Sequence, residues 1–410
     1  MNTKKRIIII VSAVVALILL ICLINRLIWN YKVAHAEKIV ELGSSQVPVY
    51  EKNVKIKQLI KNINGKLTTN PKINTDKIGK QTIEFKYTTD EGYPVKYEVE
   101  IEVVDTIPPL IYQGKSKTIY TNYDGVLAED LFCGDNYDKN PNCTIEGEVD
   151  YKTPGSYDLK FVGKDQSGNK SENNFTLTIK NPPTSSSSTS SSSKVDDRIK
   201  LDTIKEKYQG DSYQYGIDIS HWQGDINFQK VKDAGVDFVY IRIGRGNGIG
   251  KEYVEDDKFI QNISGFNEVG IPVGVYFFSN ANGKSDAKKE VDWIAKKIKK
   301  YKVDLEIVFD WEDWNAFQEY DLSFYDMKEM ANAFYDEAKK KGYTGMLYSS
   351  KSKLEDIWYD IKSPIWLAHF TEQTDYQGDY IVWQLTDNGA VPGINGAVDI
   401  DIRYPNKNKG

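Results

Sequence analysis

The acidic pair in Phe309-Asp310-Trp311-Glu312 is where this chain is equipped for chemistry. The run Ile307-Val308-Phe309 before it is apolar and reads as the end of a buried strand. Side chains two apart on a strand share a face. Asp310 and Glu312 therefore point the same way, with Trp311, Asp313 and Trp314 around them. Two adjacent carboxylates do not both ionise cheaply, so one acquires a raised pKa. A carboxyl that keeps its proton is what general acid catalysis at a glycosidic bond requires. A solvated acidic loop would show the same triplet, so the pair gains meaning only from what surrounds it.

Strands alternating with helices must position it. From Tyr215 onward, apolar strand-like runs appear at 215–219, 238–244, 272–279, 305–311, 344–349, 364–369, 380–385 and 397–402. Amphipathic stretches at 286–300 and 322–341 lie between the earlier runs, and Gly342 stands where a helix-ending glycine is expected. Eight parallel-leaning strands with about five helices predict a closed, modified TIM-type (β/α) barrel with an irregular final third. Catalytic groups in such barrels gather at the C-terminal strand ends. Asp218, Glu312 and Asp399 each fall at or near a strand.

An ordered series of motifs accompanies this pattern. Tyr215-Gly216-Ile217-Asp218-Ile219-Ser220-His221-Trp222-Gln223-Gly224 opens it. Ala234 to Val239, Ile271 to Ser279, Asp310-Trp311-Glu312, Gly342 to Tyr348, Trp366-Leu367-Ala368, Trp383-Gln384 and Val391 to Asp399 follow. Over about residues 213–404 the series resembles glycoside hydrolase family 25, the Chalaropsis-type lysozymes. The resemblance implies cleavage of the β-1,4 bond between N-acetylmuramic acid and N-acetylglucosamine in peptidoglycan. It implies Glu312 as proton donor, with Asp310 stabilising positive charge at the anomeric carbon or the acetamido group. It implies Asp218 and Asp399 as the other two catalytic carboxylates. Tyr276, Tyr348, Trp366, Trp383 and Gln384 fall at substrate-binding positions, although Trp366 and Trp383 are equally compatible with core. The chain departs from the family at Phe277, where histidine is common, and at Arg242-Ile243-Gly244-Arg245-Gly246. Asp399 pairing with Arg403, and Asp218 capping its loop, are the structural alternatives. No cofactor and no metal are expected, because the three histidines at 35, 221 and 369 make no ligand cluster. His221 and His369 read as structural or sugar-contacting.

A net charge of −6 argues against nucleic-acid partners, and 410 residues require more than one domain. Lys4-Lys5-Arg6, in a basic tail at 1–6, precedes an uncharged run from Ile7 to Ile24. Extended to Trp29, it reads as a transmembrane signal anchor over 7–29, a cleaved signal peptide being the alternative. The basic flank stays cytoplasmic. The rest then lies outside a plasma membrane crossed once. A spacer at 30–46 leads to two all-β units, 47–106 and 107–182, related by an offset of 76 residues. Ile83 and Phe85 match Leu159 and Phe161, and Val99, Ile101 and Val103 match Phe175, Leu177 and Ile179. With Asp165-Gln166-Ser167-Gly168-Asn169, these resemble the Ig-like β-sandwich modules of bacterial surface proteins, which would serve as a stalk. Asp135, Asp138 and Asn140 suit calcium or, more commonly, an Asx-rich turn. Cys133 and Cys143 are expected to form a disulfide, free thiols being the alternative. A Ser/Thr-rich linker at 183–212 reads as a flexible tether, and the catalytic domain occupies 213–406.

The expected partners are peptidoglycan strands and the membrane. Two other functions compete with a muramidase. A non-catalytic wall-binding protein would keep the groove, but not need the intact acid pair. A chitinase would carry a D-x-x-D-x-D-x-E series, which is absent.

Overall fold

The computed structural model describes residues 3–112, 116–182, 196–210 and 212–404. The Ser/Thr run at 184–193, expected to be a tether, lies outside the described residues. The chain divides between Thr106 and Ile107 into two compact units.

In the first unit, Thr3–Ala34 forms one helix that continues past the expected limit at residue 29. It is long and apolar enough to cross a membrane. Part of the expected spacer is not free. Val40–Leu42 pairs with Ile60–Ile63, beside a sheet built on the hairpin Gly79–Thr89 and Pro94–Val104. Gln46–Pro48 runs parallel along the second strand of that hairpin, and Gly65–Leu67 antiparallel along the first.

The second unit opens on the same plan. Its hairpin is Gly155–Lys164 with Lys170–Lys180, flanked by Ser116–Tyr120 in parallel and Asn142–Glu146 antiparallel. Leu159 faces Phe175 as Ile83 faces Val99, so the offset of 76 persists at the level of strand register. Alternate residues bury themselves, Phe161, Leu177 and Ile179 among them. A separate two-stranded piece pairs Leu110–Tyr112 with Phe132–Gly134, and Cys133 is disulfide-bonded to Cys143. Asp135 is used in an Asx turn, its Oδ1 accepting from the backbone N–H groups of Tyr137 and Asp138.

The remainder is a closed ring of eight strands. They are β1 (Gln214–Ile219), β2 (Phe238–Arg245), β3 (Val273–Phe278), β4 (Ile307–Asp310), β5 (Gly345–Ser350), β6 (Ile365–Ala368), β7 (Val382–Ala390) and β8 (Val398–Arg403). Strands β1 to β7 are parallel. The expectation of a parallel-leaning eighth strand is corrected: β8 is antiparallel to both β7 and β1, and it closes the circle. A long crossover is needed between parallel neighbours, and too few residues separate β7 from β8 to supply one. Helices Phe259–Val269, Lys284–Ile298 and Phe324–Lys340 cover the outside with buried apolar faces. The last of them ends at Gly342, whose φ of +85° favours glycine.

The expected linker is also shorter than 183–212. Ile199–Lys200 adds to β7 in parallel, and helix Leu201–Lys207 buries Leu201 and Ile204 in the ring's outer core. Apolar residues in an otherwise charged stretch were the signal for this packing.

Deep in the ring, Arg403 donates to both carboxylate oxygens of Glu306 at 2.7 and 2.9 Å and to the Tyr240 hydroxyl at 3.0 Å. This is a bidentate, largely buried pair. Arg403→Met leaves Glu306 unpaired and is expected to lower stability by about 3–5 kcal/mol in chemical denaturation. Loss of less than ~1 kcal/mol would show the pair to be solvated.

Candidate active site

Alternation along the strands sorts two environments. Val308, Tyr240, Met346, Trp366 and Val382 fill the inside of the ring, while Ile307, Phe309 and Trp311 face outward into the helix-covered core. The inward row is Glu306, just before β4, then Val308 and Asp310 on it, and Glu312 follows just beyond the strand end. Trp311 is correspondingly not beside the pair. It is fully buried on the opposite face and donates its Nε1–H to Ala281 O at 3.2 Å.

Because β8 is antiparallel, its beginning stands at the face where β1 to β7 finish. Asp399 is thereby the direct cross-strand partner of Asp218. The ring brings Asp218, Asp310, Glu312 and Asp399 to one end. It adds Asp401, fully buried, which the sequence reading passed over. The signal was present in Val398-Asp399-Ile400-Asp401-Ile402-Arg403, where polar and apolar residues alternate strictly. Arg403 is engaged by Glu306, so it is not the partner of Asp399.

Two hydrogen-bond chains hold these acids. Tyr348 OH donates to Gln384 Oε1 at 2.8 Å, and Gln384 Nε2 donates to Asp218 Oδ2 at 2.8 Å. Trp366 Nε1–H donates to Asp401 Oδ1 at 2.8 Å. Three expected substrate contacts are revised accordingly. Trp366 is only 2% exposed, and its ring packs on Tyr240 and Tyr348 beneath the acids. Trp383 faces outward, with its Nε1–H on His369 O at 2.9 Å and Tyr208 against its ring. Gln384 is buried and positions Asp218. Tyr276 and Tyr348 remain half-buried on the inner face.

One cation faces the cluster. Arg242, which opens the departure from the family pattern at 242–246, binds Asp256 Oδ2 through Nε at 2.8 Å and contacts His221 Nδ1. Its charge lowers the Asp310 pKa, against the larger effects of burial and the Glu312 charge, which push it well above the usual carboxylate range. Burial, then the charges of Asp399, Asp401 and Asp310, likewise raise Asp218. Burial and the Asp399 charge raise Asp401. Burial first, then Asp387, push Asp399 up to about 6. Glu312 reaches solvent, yet burial and Asp399 together push it up to about 6. The charge that acts on Glu312 is thus that of Asp399, not that of its neighbour Asp310. Asp310 Oδ1 is buried with no hydrogen-bond partner among the described residues.

A cleft of about 390 Å³ opens over Glu312, Tyr348, Ser350, Ala368, His369 and Phe370. Phe370 is 54% exposed at its edge, and Trp222, after β1, is 77% exposed. These exposed aromatics suit the apolar faces of sugar rings, and both were passed over as site residues. A larger cleft of about 460 Å³ lies beyond the ends of β2 and β3, among Gly246, Asn280 and Trp293, but none of the acid set lines it. The closed ring thus ends in a cluster of carboxyls with a cleft beside it.

Residues 217–394 match the model of the family described as glycosyl hydrolases family 25. The chain is 31% identical over 198 residues to Lysozyme M1 of Streptomyces globisporus, across 45% of this chain and 65% of that protein. It is 27% identical over 191 residues to the autolytic lysozyme of Clostridium acetobutylicum, across 45% and 54%. The chain thus spans less than two thirds of the length of each of these two curated relatives. The crystal structure of a bacterial lysozyme from Streptomyces coelicolor aligns at 26% identity and a TM-score of 0.40, covering 49% of this chain and 95% of that one.

Replacing Asp399 with Asn removes the charge that helps keep Glu312 protonated. The Glu312 pKa is expected to fall below about 6, read by carbon NMR of carboxyl-labelled protein. An unmoved titration would dissociate the two residues.

Proposed function

We propose that this protein is a membrane-anchored muramidase. Its substrate would be the β-1,4 bond between N-acetylmuramic acid and N-acetylglucosamine. The reading is carried by the convergence of Asp218, Asp310, Glu312 and Asp399 on one end of the ring, beside a cleft, within a domain of family 25. The relatives named lysozymes support the same chemistry.

Glycoside hydrolysis requires a proton for the leaving oxygen and negative charge near an oxocarbenium-like centre. The Glu312 charge adds to burial in raising Asp310, so the two acids do not titrate independently. Catalysis then requires the proton on Glu312, which faces the cleft, and the charge on Asp310, which burial and Glu312 oppose and Arg242 favours. Glu312 then gives its proton to the departing sugar oxygen. The unpaired Asp310 Oδ1 is available to the cation or to an acetamido N–H. Asp218 and Asp399 bias the proton distribution, and Gln384 and Tyr348 fix Asp218. The polar chain Tyr348–Gln384–Asp218 would fail to orient if any member were apolar.

The N-terminal helix would hold the enzyme in the plasma membrane, with the basic tail cytoplasmic and the catalytic domain outside. The two β units are read as Ig-like modules.

Glu312→Gln is expected to slow release of reducing sugars from purified cell walls by at least about 100-fold, with wall binding kept. Unchanged turnover would remove Glu312 from the acid role. Mass spectrometry of the products should find muramic acid at the new reducing end. Because Glu312 acts in its protonated form, cleavage is expected to decline as pH rises through about 6. A rate that climbs across that range would overturn the assignment.

A further inference from the structure

The second β module packs against the segment that follows Glu312 and against the start of the helix after it. Trp314–Tyr320 is a seven-residue 3₁₀ helix starting two residues after that acid, and Trp314 N–H donates to Glu312 O at 2.8 Å. A helix of this kind has poor hydrogen-bond geometry and does not hold its own shape well over seven residues. Within the ring it is tied back by Tyr320 OH, which donates to Asp313 Oδ2 at 2.6 Å, and by Asn280, which donates to both groups.

Its other side is covered by the module. Phe132 lies 5.4 Å from the Phe317 ring and 6.1 Å from Trp314, and it stacks on Phe324 at 6.3 Å with planes 7° apart. Gln318 Nε2 donates to Cys133 O at 3.3 Å and meets Cys143 Sγ at 3.1 Å, so one barrel side chain grips both disulfide-linked strands. Lys353 places its ammonium 4.0 Å from the Phe132 ring centroid and 5.0 Å from that of Trp314.

The same module also ends the neighbouring helix. The N–H groups of a helix's first turn have no partner inside the helix. Here Phe324 N–H donates to Asp135 O at 2.8 Å and Tyr325 N–H to Asn136 O at 3.3 Å. Gly134 makes the approach possible: a Cβ there would stand 2.6 Å from the Phe324 ring and 2.8 Å from the Phe317 ring. An expectation that this module serves only as a stalk does not account for such fitted contact.

We infer that the second β module is a clamp that holds the 314–320 segment, with Phe132 and Gly134 as positioning residues for Glu312. This rests on the muramidase reading. The clamp acts on placement of the acid rather than on glycan affinity. An error of about 1 Å at a reacting group is worth up to roughly 100-fold in rate.

The experiment uses the full chain. Phe132→Ala is expected to lower kcat about tenfold on purified cell walls with KM within twofold, to displace the pH limb set by Glu312 toward lower pH, and to speed amide exchange at 313–320. Phe132→Leu should recover most of the rate. Gly134→Val, which wedges the same contact from the backbone, should reproduce the loss. Gln318→Ala reports from the ring side if either module variant fails to fold. Wild-type kcat, pH profile and exchange in the folded variants would overturn the clamp. A wild-type chain that releases no sugar would instead defeat the muramidase reading. Exchange at 313–320, measured without substrate, still decides whether the module restrains the segment.

Discussion

Antiparallel closure of the ring by β8 is the constraint on which the site depends. Six strands beside β1 could all be parallel and still leave Asp218 facing an open edge. The reversed last strand fills that edge and presents Asp399 and Asp401 at the face where the others end. Among the described residues, five carboxyls then share a space with the guanidinium of Arg242. Burial first, and then the crowding of like charge, raises their pKa values above the usual carboxylate range.

The arrangement has an energetic sign. For Asp218, Asp310 and Asp401 the folded pKa lies above the unfolded value. Their contribution to stability is present below the unfolded pKa and lost as pH rises through the folded one. Glu306, deeper in the ring, is the reverse: Arg403 and Tyr240 outweigh its burial and hold its carboxyl below the usual range. Its contribution is present above the unfolded value and lost as pH falls through the folded one. The rigid lower layer thus stabilises the fold under the neutral conditions in which the upper layer opposes it, a separation common where function imposes strain.

Much of this was legible in the sequence because periodicity carries it. All eight ring strands stood out as apolar runs. The repeat of the β units survived to the level of facing residues. What was missed had a physical reason in each case. Trp383 and Trp366 look alike in sequence, but strand parity sends one outward and the other inward, and both are buried. Asp401 and Arg242 are ordinary charged residues until ring closure sets them beside distant acids. Leu201 and Ile204 were hidden by the lysines and acids around them. The direction of β8 was unreadable from apolar alternation alone, since parallel and antiparallel strands share that period. It followed only from the shortness of the connection before it.

The closing strand is also the last to be made. A chain halted before residue 398 possesses Asp310 and Glu312 but lacks Asp399 and Asp401, and β1 and β7 face each other across an open gap. No fragment built from the amino end assembles the full set of acids. A nascent or stalled product that ends before β8 therefore lacks two of the five acids.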